Sequence, residues 1–283
     1  MVRSLLAVIA ALALAGVARA DIKELTTPNE AIYFSKSTEI AIMGMFKEKK
    51  GAEWDLFKQV AKEFDKDSGI ALGYTTDKAV YGRYLEGDQA PPQVMVFSSF
   101  APETGLIQKG KKARALFEGS FTYTELHTFF LRESQPLVLR LPQNLGPDFQ
   151  KRMMLAFQSR MPKVFVFGKA PDDAPEALVE AAKVFRGRCL AFYYTVSPGD
   201  EEDEGNYHMK QMGLEPGDVN KGPVAAIAYQ GSPEPLEWEG DAASLAKKVN
   251  EYLDEQPAYE PVEGAKKAKS PVGKKKKSTK KDL

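Results

Sequence analysis

The sequence predicts an α/β chain of two similar units, each a central mixed sheet flanked by helices. Three observations carry this. Strand-length apolar runs alternate with amphipathic helical stripes from Asp21 to Gln256. The same order of elements occurs twice, with equivalent marks 119 to 131 residues apart: Ile40 and Val164, Ile70 and Cys189, Pro92 and Pro223, Leu126 and Leu245. A proline stands directly before the third core strand of each unit, at Pro92 and at Pro223. The 283 residues suit two domains at roughly 100–200 residues each.

Each element has a local reason. In the first unit, Glu39–Phe46 is an apolar run of strand length. Trp54, Phe57, Val60, Ala61 and Phe64 make one helical stripe over Glu53–Asp67. Gly69–Thr76 is a second strand and Val80–Leu85 a short helix. Pro91-Pro92 leads into the strand Gln93–Phe97. Thr122-x-x-Glu125 is a capping box that opens a helix to Leu131. The second unit repeats this with the strand Leu137–Leu141, the helix Pro147–Phe157 and the strand Lys163–Phe167. Asp173 is expected to cap a helix with Pro175 near its start and Leu178, Ala181, Ala182 and Phe185 on one face. Then come the strand Arg188–Val196, the short helix Tyr207–Met212 and the strand Val224–Tyr229. Leu236–Trp238 closes a hairpin, and Asp241 caps a helix carrying Leu245, Val249, Tyr252 and Leu253. The expected divisions are 21–134 and 135–256.

The ends read as addresses. Met1 to Ala20 has Arg3 at its start, an uninterrupted apolar run Leu5–Leu14, and Ala18-Arg19-Ala20 in small-x-small spacing. This is the pattern of a secretory signal peptide, and the apolar run is shorter than the roughly 20 residues needed to span a bilayer. No membrane insertion is expected. The chain ends Lys280-Lys281-Asp282-Leu283, which resembles the Lys-Asp-Glu-Leu retrieval signal of the endoplasmic reticulum. The expected address is the endoplasmic reticulum lumen.

Charge is unevenly spread. Lys plus Arg equals Asp plus Glu at 39 each, yet residues 264–283 hold nine Lys and one Asp, and the first 20 hold Arg3 and Arg19. The body between must carry −10 to offset +8 and +2. From Pro257 to Lys281 the chain mixes Pro, Gly, Ser and Lys, with Val272 the one large apolar residue after Val262. Residues 257–283 are therefore expected to form a disordered basic tail. The run Lys274–Lys277 would suit nucleic acid, but the secretory leader argues for solvation instead, and no nucleic-acid partner is expected.

The ordered motifs resemble the thioredoxin fold, and specifically the protein disulfide isomerase family. Pro92 and Pro223 stand where that fold keeps a cis-proline loop, so both are cis-proline candidates. Phe185-Arg186-Gly187-Arg188 looks like the Phe-x-Gly-Lys entry of the family's second non-catalytic module. Pro136-Leu137-Val138, after a Leu-x-x-Phe-Phe helix, looks like that module's start. The resemblance covers about 235 of 283 residues and implies two tandem thioredoxin-like domains similar to the b and b′ pair. The departure is the sulfur chemistry. Thiol–disulfide exchange needs an attacking thiolate and a resolving thiol. The chain holds one cysteine, Cys189, and the stretches equivalent to the family's Cys-x-x-Cys, Lys47–Asp55 and Gly168–Pro175, hold none. The resemblance thus implies a non-catalytic relative with no catalytic residue and no cofactor.

In the family the b′-type module holds unfolded polypeptide in an apolar pocket, often rich in Met. The matching positions here are Leu139 and Leu141 on the first strand, Phe149, Met153 and Met154 on the following helix, and Val164 on the next strand. Core packing is the competing reading for each, and exposure decides between them. The implied partners are unfolded or misfolded polypeptide clients, or a catalytic disulfide isomerase. A second function class is calcium storage. The acidic body also resembles calsequestrin, built of thioredoxin-like domains, and Asp200-Glu201-Glu202-Asp203-Glu204 is an acid cluster without the alternating spacing of a calcium loop. A third is an enzyme in which Cys189 reacts alone. His127 and His208 have no matched ligand pair, so no metal site is expected.

Overall fold

The computed structural model describes residues 22–64, 69–101, 108, 110–141, 147–169, 175–200 and 202–261, with backbone alone at 147 and 148. Residues 1–20, where a leader is expected, Asp173 and Lys280 to Leu283 lie outside the described residues.

The first half contains β1 (Lys23–Glu24), α1 (Pro28–Lys36), β2 (Ile40–Met45), α2 (Ala52–Ala61), β3 (Ile70–Thr75), α3 (Lys78–Tyr81), β4 (Gln93–Ser98), β5 (Ala113–Leu116) and α4 (Tyr123–Glu133). The second contains β6 (Val138–Leu141), α5 (Pro147–Gln158), β7 (Lys163–Gly168), α6 (Glu176–Phe185), β8 (Leu190–Thr195), α7 (Glu204–Gln211), a 3-10 turn (Pro216–Asn220), β9 (Val224–Ala228), β10 (Glu234–Leu236) and α8 (Ala242–Glu255). The sheets have the strand orders β1-β3-β2-β4-β5 and β6-β8-β7-β9-β10. Pairings match as well. β2–β3 and β7–β8 are parallel, whereas β2–β4, β7–β9, β4–β5 and β9–β10 are antiparallel. The doubled pattern in the sequence is a doubled topology.

Three elements of the first unit escaped the periodicity. β1 has two residues, and β5 (ARAL) is not buried on either face. α1 buries Ala31, Phe34 and Ser35 and is fixed mainly by its start. Thr27 Oγ1 accepts from Glu30 N at 3.2 Å, Glu30 Oε2 accepts from Thr27 N at 3.2 Å, and Pro28 occupies the first turn. The signature Thr27-x-x-Glu30 was legible in the sequence.

Each sheet is buried on both faces. In β2, Ile40 and Ile42 face Trp54, Phe57 and Val60 of α2, while Ala41, Met43 and Met45 share the opposite cluster with Ala31, Phe34 and Val80. In β7, Phe165 and Phe167 join Leu139, Phe149, Phe192 and Tyr194, while Val164 and Val166 join Leu178 and Ala181 of α6 and Leu245 and Val249 of α8. Each fully buried Val, Leu, Ile, Phe or Met side chain among these contributes about 1.5–3 kcal/mol. The α2–α4 face of the first sheet and the α5–α7 face of the second belong to one continuous apolar cluster. The units therefore share core.

Two expectations are corrected here. The Pro91–Pro92 peptide is cis, and among the described residues no other peptide is, so Pro223 is not a cis-proline. Gly222, at φ 149, takes the bend into β9 instead. The basic tail does not begin at Pro257. Tyr229 Oη donates to Pro257 O at 3.0 Å, and the Tyr259 ring packs on the shared cluster. Tyr259 supplies the apolar area that the rest of the Lys-rich segment lacks.

Candidate functional site

The apolar surface of the second unit is built on α5, which crosses the face of the sheet carrying Phe165 and Phe192. Of the six sequence candidates, Leu139, Leu141 and Phe149 are buried on this face. Val164 is buried on the other face against α6 and α8, so it cannot share a pocket with them. The reason is strand alternation: Val164 and Phe165 point to opposite sides of β7. Met153 and Met154 are half-buried on α5.

The accessible apolar atoms lie slightly further along. Met153, Leu155 and Phe157 on α5, and Met212 and Leu214 after α7, are partly buried and pack against the same core. Phe157 stands 4.7 Å from the Phe192 ring, which lies 5.1 Å from Phe165. Tyr207 on α7 is 53% exposed. Leu155, Phe157, Met212 and Leu214 were not singled out from sequence. Phe157 follows Phe149 and Met153 at i+4 spacing, which was the available signal.

α5 is held in place from its buried side. Arg152 is fully buried, donates Nη2 to Glu39 Oε2 just before β2, and has its guanidinium over the Phe149 ring at 5.8 Å and the Phe100 ring at 6.0 Å. Gln135 Nε2 donates to Arg152 O at 3.0 Å. Lys112 Nζ reaches Glu39 O at 2.7 Å. Burial pulls the Lys112 amine below its usual range, Glu39 opposes this, and Arg152 adds to it.

The chain's single thiol is buried. Cys189, between α6 and β8, is 4% exposed and its Sγ lies 3.5 Å from Leu190 O. Burial pushes the thiol up to about 12, opposed first by a hydrogen bond with the Val164 backbone and then by Lys163 and Arg188. A thiolate, the reactive form, is therefore scarce at neutral pH. α2 begins at Gly51-Ala52-Glu53 with no side-chain cap.

The acid cluster serves the fold. Asp203 Oδ1 accepts from Asn206 N at 2.8 Å as the cap of α7, Asp200 Oδ1 accepts from Glu202 N at 3.0 Å, and Glu204 lies 3.5 Å from His208. Glu201 lies outside the described residues. Among the described residues no three His, Cys, Asp or Glu side chains come together as a metal site. No helix among the described residues is long and apolar enough to cross a membrane.

No family model matches the chain. A protein disulfide-isomerase of Drosophila melanogaster is 28% identical over 185 residues, covering 64% of this chain and 32% of that protein. The chain thus spans about a third of that relative's length. Among solved structures, the zinc-bound form of human ERp44 aligns with a TM-score of 0.50 at 16% identity, over 82% of this chain and 58% of that one. The bb fragment of ERp72 aligns with a TM-score of 0.44 at 17% identity, over 82% of this chain and 96% of that one. Both five-stranded units have the thioredoxin-like fold.

Proposed function

We propose that this chain, a relative of the protein disulfide isomerases built from two thioredoxin-like units, is non-catalytic and binds unfolded polypeptide through the α5 surface of its second unit. The observation that carries the reading is the pair Met153 and Phe157, on one face of α5 at i, i+4 spacing and partly exposed, yet seated on the same core as Met212 and Leu214. Methionine and phenylalanine supply apolar area of adaptable shape, which suits clients that share no sequence. The buried Leu139, Leu141 and Phe149 support this surface from beneath. One cysteine in the whole chain supports the absence of a redox step.

The leader pattern at 1–20 and the tetrapeptide 280–283 support a place in the endoplasmic reticulum lumen. A reporter carrying both segments is expected to be retained there, and its secretion or cytosolic retention would argue against the address.

The binding test is a titration of the isotope-labelled protein with an unstructured apolar peptide. Amide shifts are expected around Met153, Phe157 and Met212, and Met153→Lys is expected to weaken binding by about tenfold, the effect of losing one good apolar anchor. Shifts absent from α5 would overturn the reading.

A further inference from the structure

A cavity of about 180 Å³ opens where the two units meet. Val96, Ser98 and Phe100 line it from β4 and its end, Arg114 from β5, and Gln135 and Arg186 from the second unit. It is smaller than the roughly 300–1,000 Å³ of drug-sized sites, so an occupant has few heavy atoms. Its wall has positive charge to spare. Glu133 accepts from Arg132 Nε at 2.6 Å and from Arg186 Nη2 at 2.9 Å, so one carboxylate serves two guanidinium groups. Arg114 has no ion pair or hydrogen bond among the described residues, and its guanidinium stands over the Tyr84 ring at 5.6 Å. The wall also has an unused acceptor. Gln135 is 2% exposed. Its Nε2 donates to Arg152 O at 3.0 Å, a place only the amide nitrogen can take. Its Oε1 is buried with no hydrogen-bond partner, and an acceptor left so is costly. Ser98, also buried, accepts from Phe100 N at 3.0 Å and has its hydroxyl proton left to give.

We infer that this junction cavity binds a small hydroxycarboxylate. The carboxylate pairs with Arg114 and Arg186, planar forks that suit its two oxygens. The hydroxyl donates to Gln135 Oε1 and accepts from Ser98. The carbon skeleton lies on Val96 and Phe100. Each side of the ligand answers a group that the protein alone leaves unmatched. A free amino acid fits worse, because its ammonium would meet the same arginines. A simple fatty acid would leave Gln135 Oε1 buried and unpaired, which is how a polar site rejects an analogue lacking a hydroxyl. The cavity shares no side chain with the α5 surface, so the two sites hold or fail separately.

The probe is sodium L-lactate, titrated into the isotope-labelled full chain at fixed pH and ionic strength. Saturable amide shifts are expected at Ala113, Ala115, Gln135 and Leu137, which lie around the cavity. Propionate, the same acid without the hydroxyl, is expected to bind about tenfold more weakly. Lactamide, which keeps the hydroxyl and lacks the charge, should lose a similar factor. Arg114 is exposed, so Arg114→Gln is expected to fold and to weaken lactate about tenfold. Lactate shifts that never saturate, or that every sodium salt reproduces, would mean that only water and salt enter the cavity, and they overturn the proposal. So does equal affinity for lactate and propionate, or a folded Arg114→Gln chain with unchanged affinity. The two ligand comparisons use the wild-type chain and decide the matter should the variant not fold. Shifts confined to Met153, Phe157 and Met212 also overturn this site and leave the α5 reading standing.

Discussion

The guanidinium of Arg152 on α5, fully buried, donates to the carboxylate of Glu39 at the entrance to β2, so one charged pair joins the two sheets. The pair is lopsided. Arg152 is 0% exposed at its side chain and Glu39 is 42% exposed. Among the described residues Arg152 Nε and Nη1 have no hydrogen-bond partner. The bond therefore compensates a costly burial. It also sets where α5, and with it Met153 and Phe157, sits relative to the first unit.

The two ends of that pair are expected to respond unequally. Glu39→Ala leaves a buried cation without its carboxylate and should destabilise by roughly 3–5 kcal/mol. Arg152→Met removes the charge and keeps an apolar side chain of similar length, so the change should be within about 1 kcal/mol of zero. Urea midpoints of the two variants check this. Equal losses would mean the pair stabilises by attraction alone.

Lys163 makes stability depend on alkaline pH. Its amine donates to Ser159 O and Met161 O, and burial lowers it from 10.5 to about 8. Between those values the unfolded chain holds the extra proton, so stability rises as pH increases through about 8. Cys189 acts in the opposite sense, since burial raises it from 9.0 to about 12 and only the unfolded thiol ionises above 9. The net expectation is a gain of up to roughly 1 kcal/mol between about pH 8 and 9, then a plateau or decline. Lys163→Met should abolish the gain. The measurement is chemical denaturation at pH 7, 8 and 9 for both proteins.

Cys189 is expected to resist thiol reagents in the native state. Its burial and its raised proton affinity both oppose attack. Labelling with an aromatic disulfide should be slow in buffer and fast in denaturant. Rapid native labelling would place the thiol at the surface and reopen a single-cysteine chemistry.

Gly44 sits mid-strand in β2, where alanine would ordinarily be tolerated. Here an added Cβ would stand 2.5 Å from the Phe46 ring and 3.0 Å from the Phe57 ring. Gly44→Ala should therefore destabilise by roughly 1–3 kcal/mol. The companion Gly217→Ala, with nothing within 4 Å of its Cβ, controls for backbone effects in the same thermal melt.

Much of the molecule was legible as a string. Apolar runs marked most of the strands, capping residues Thr122 and Asp241 marked helix starts, and the repeat announced the shared topology. α1 was missed although Thr27 and Glu30 signal it, and β5 was missed because Arg114 breaks its apolar run. Of the side chains in the proposed apolar surface, Met153 was named from sequence, and Leu155, Phe157, Met212 and Leu214 were not. Periodicity marks the stripe that meets the core, and the accessible residues flank that stripe.

What the sequence determined alone was local and compositional: two α/β units in series, and a chain with one thiol that has no second thiol to pair with in cis. Tertiary structure decided what each buried stripe is buried against. Val164 and Phe165 are adjacent in the chain yet lie in different clusters. Arg152 was not singled out from sequence, and its partner Glu39 lies 113 positions away. Tyr259 reads as the start of a tail until both units close around it. Alternation and helical spacing are set by the geometry of a few neighbouring residues. Which surfaces then meet depends on the energy of contacts between distant segments, and no single stretch of sequence contains both partners.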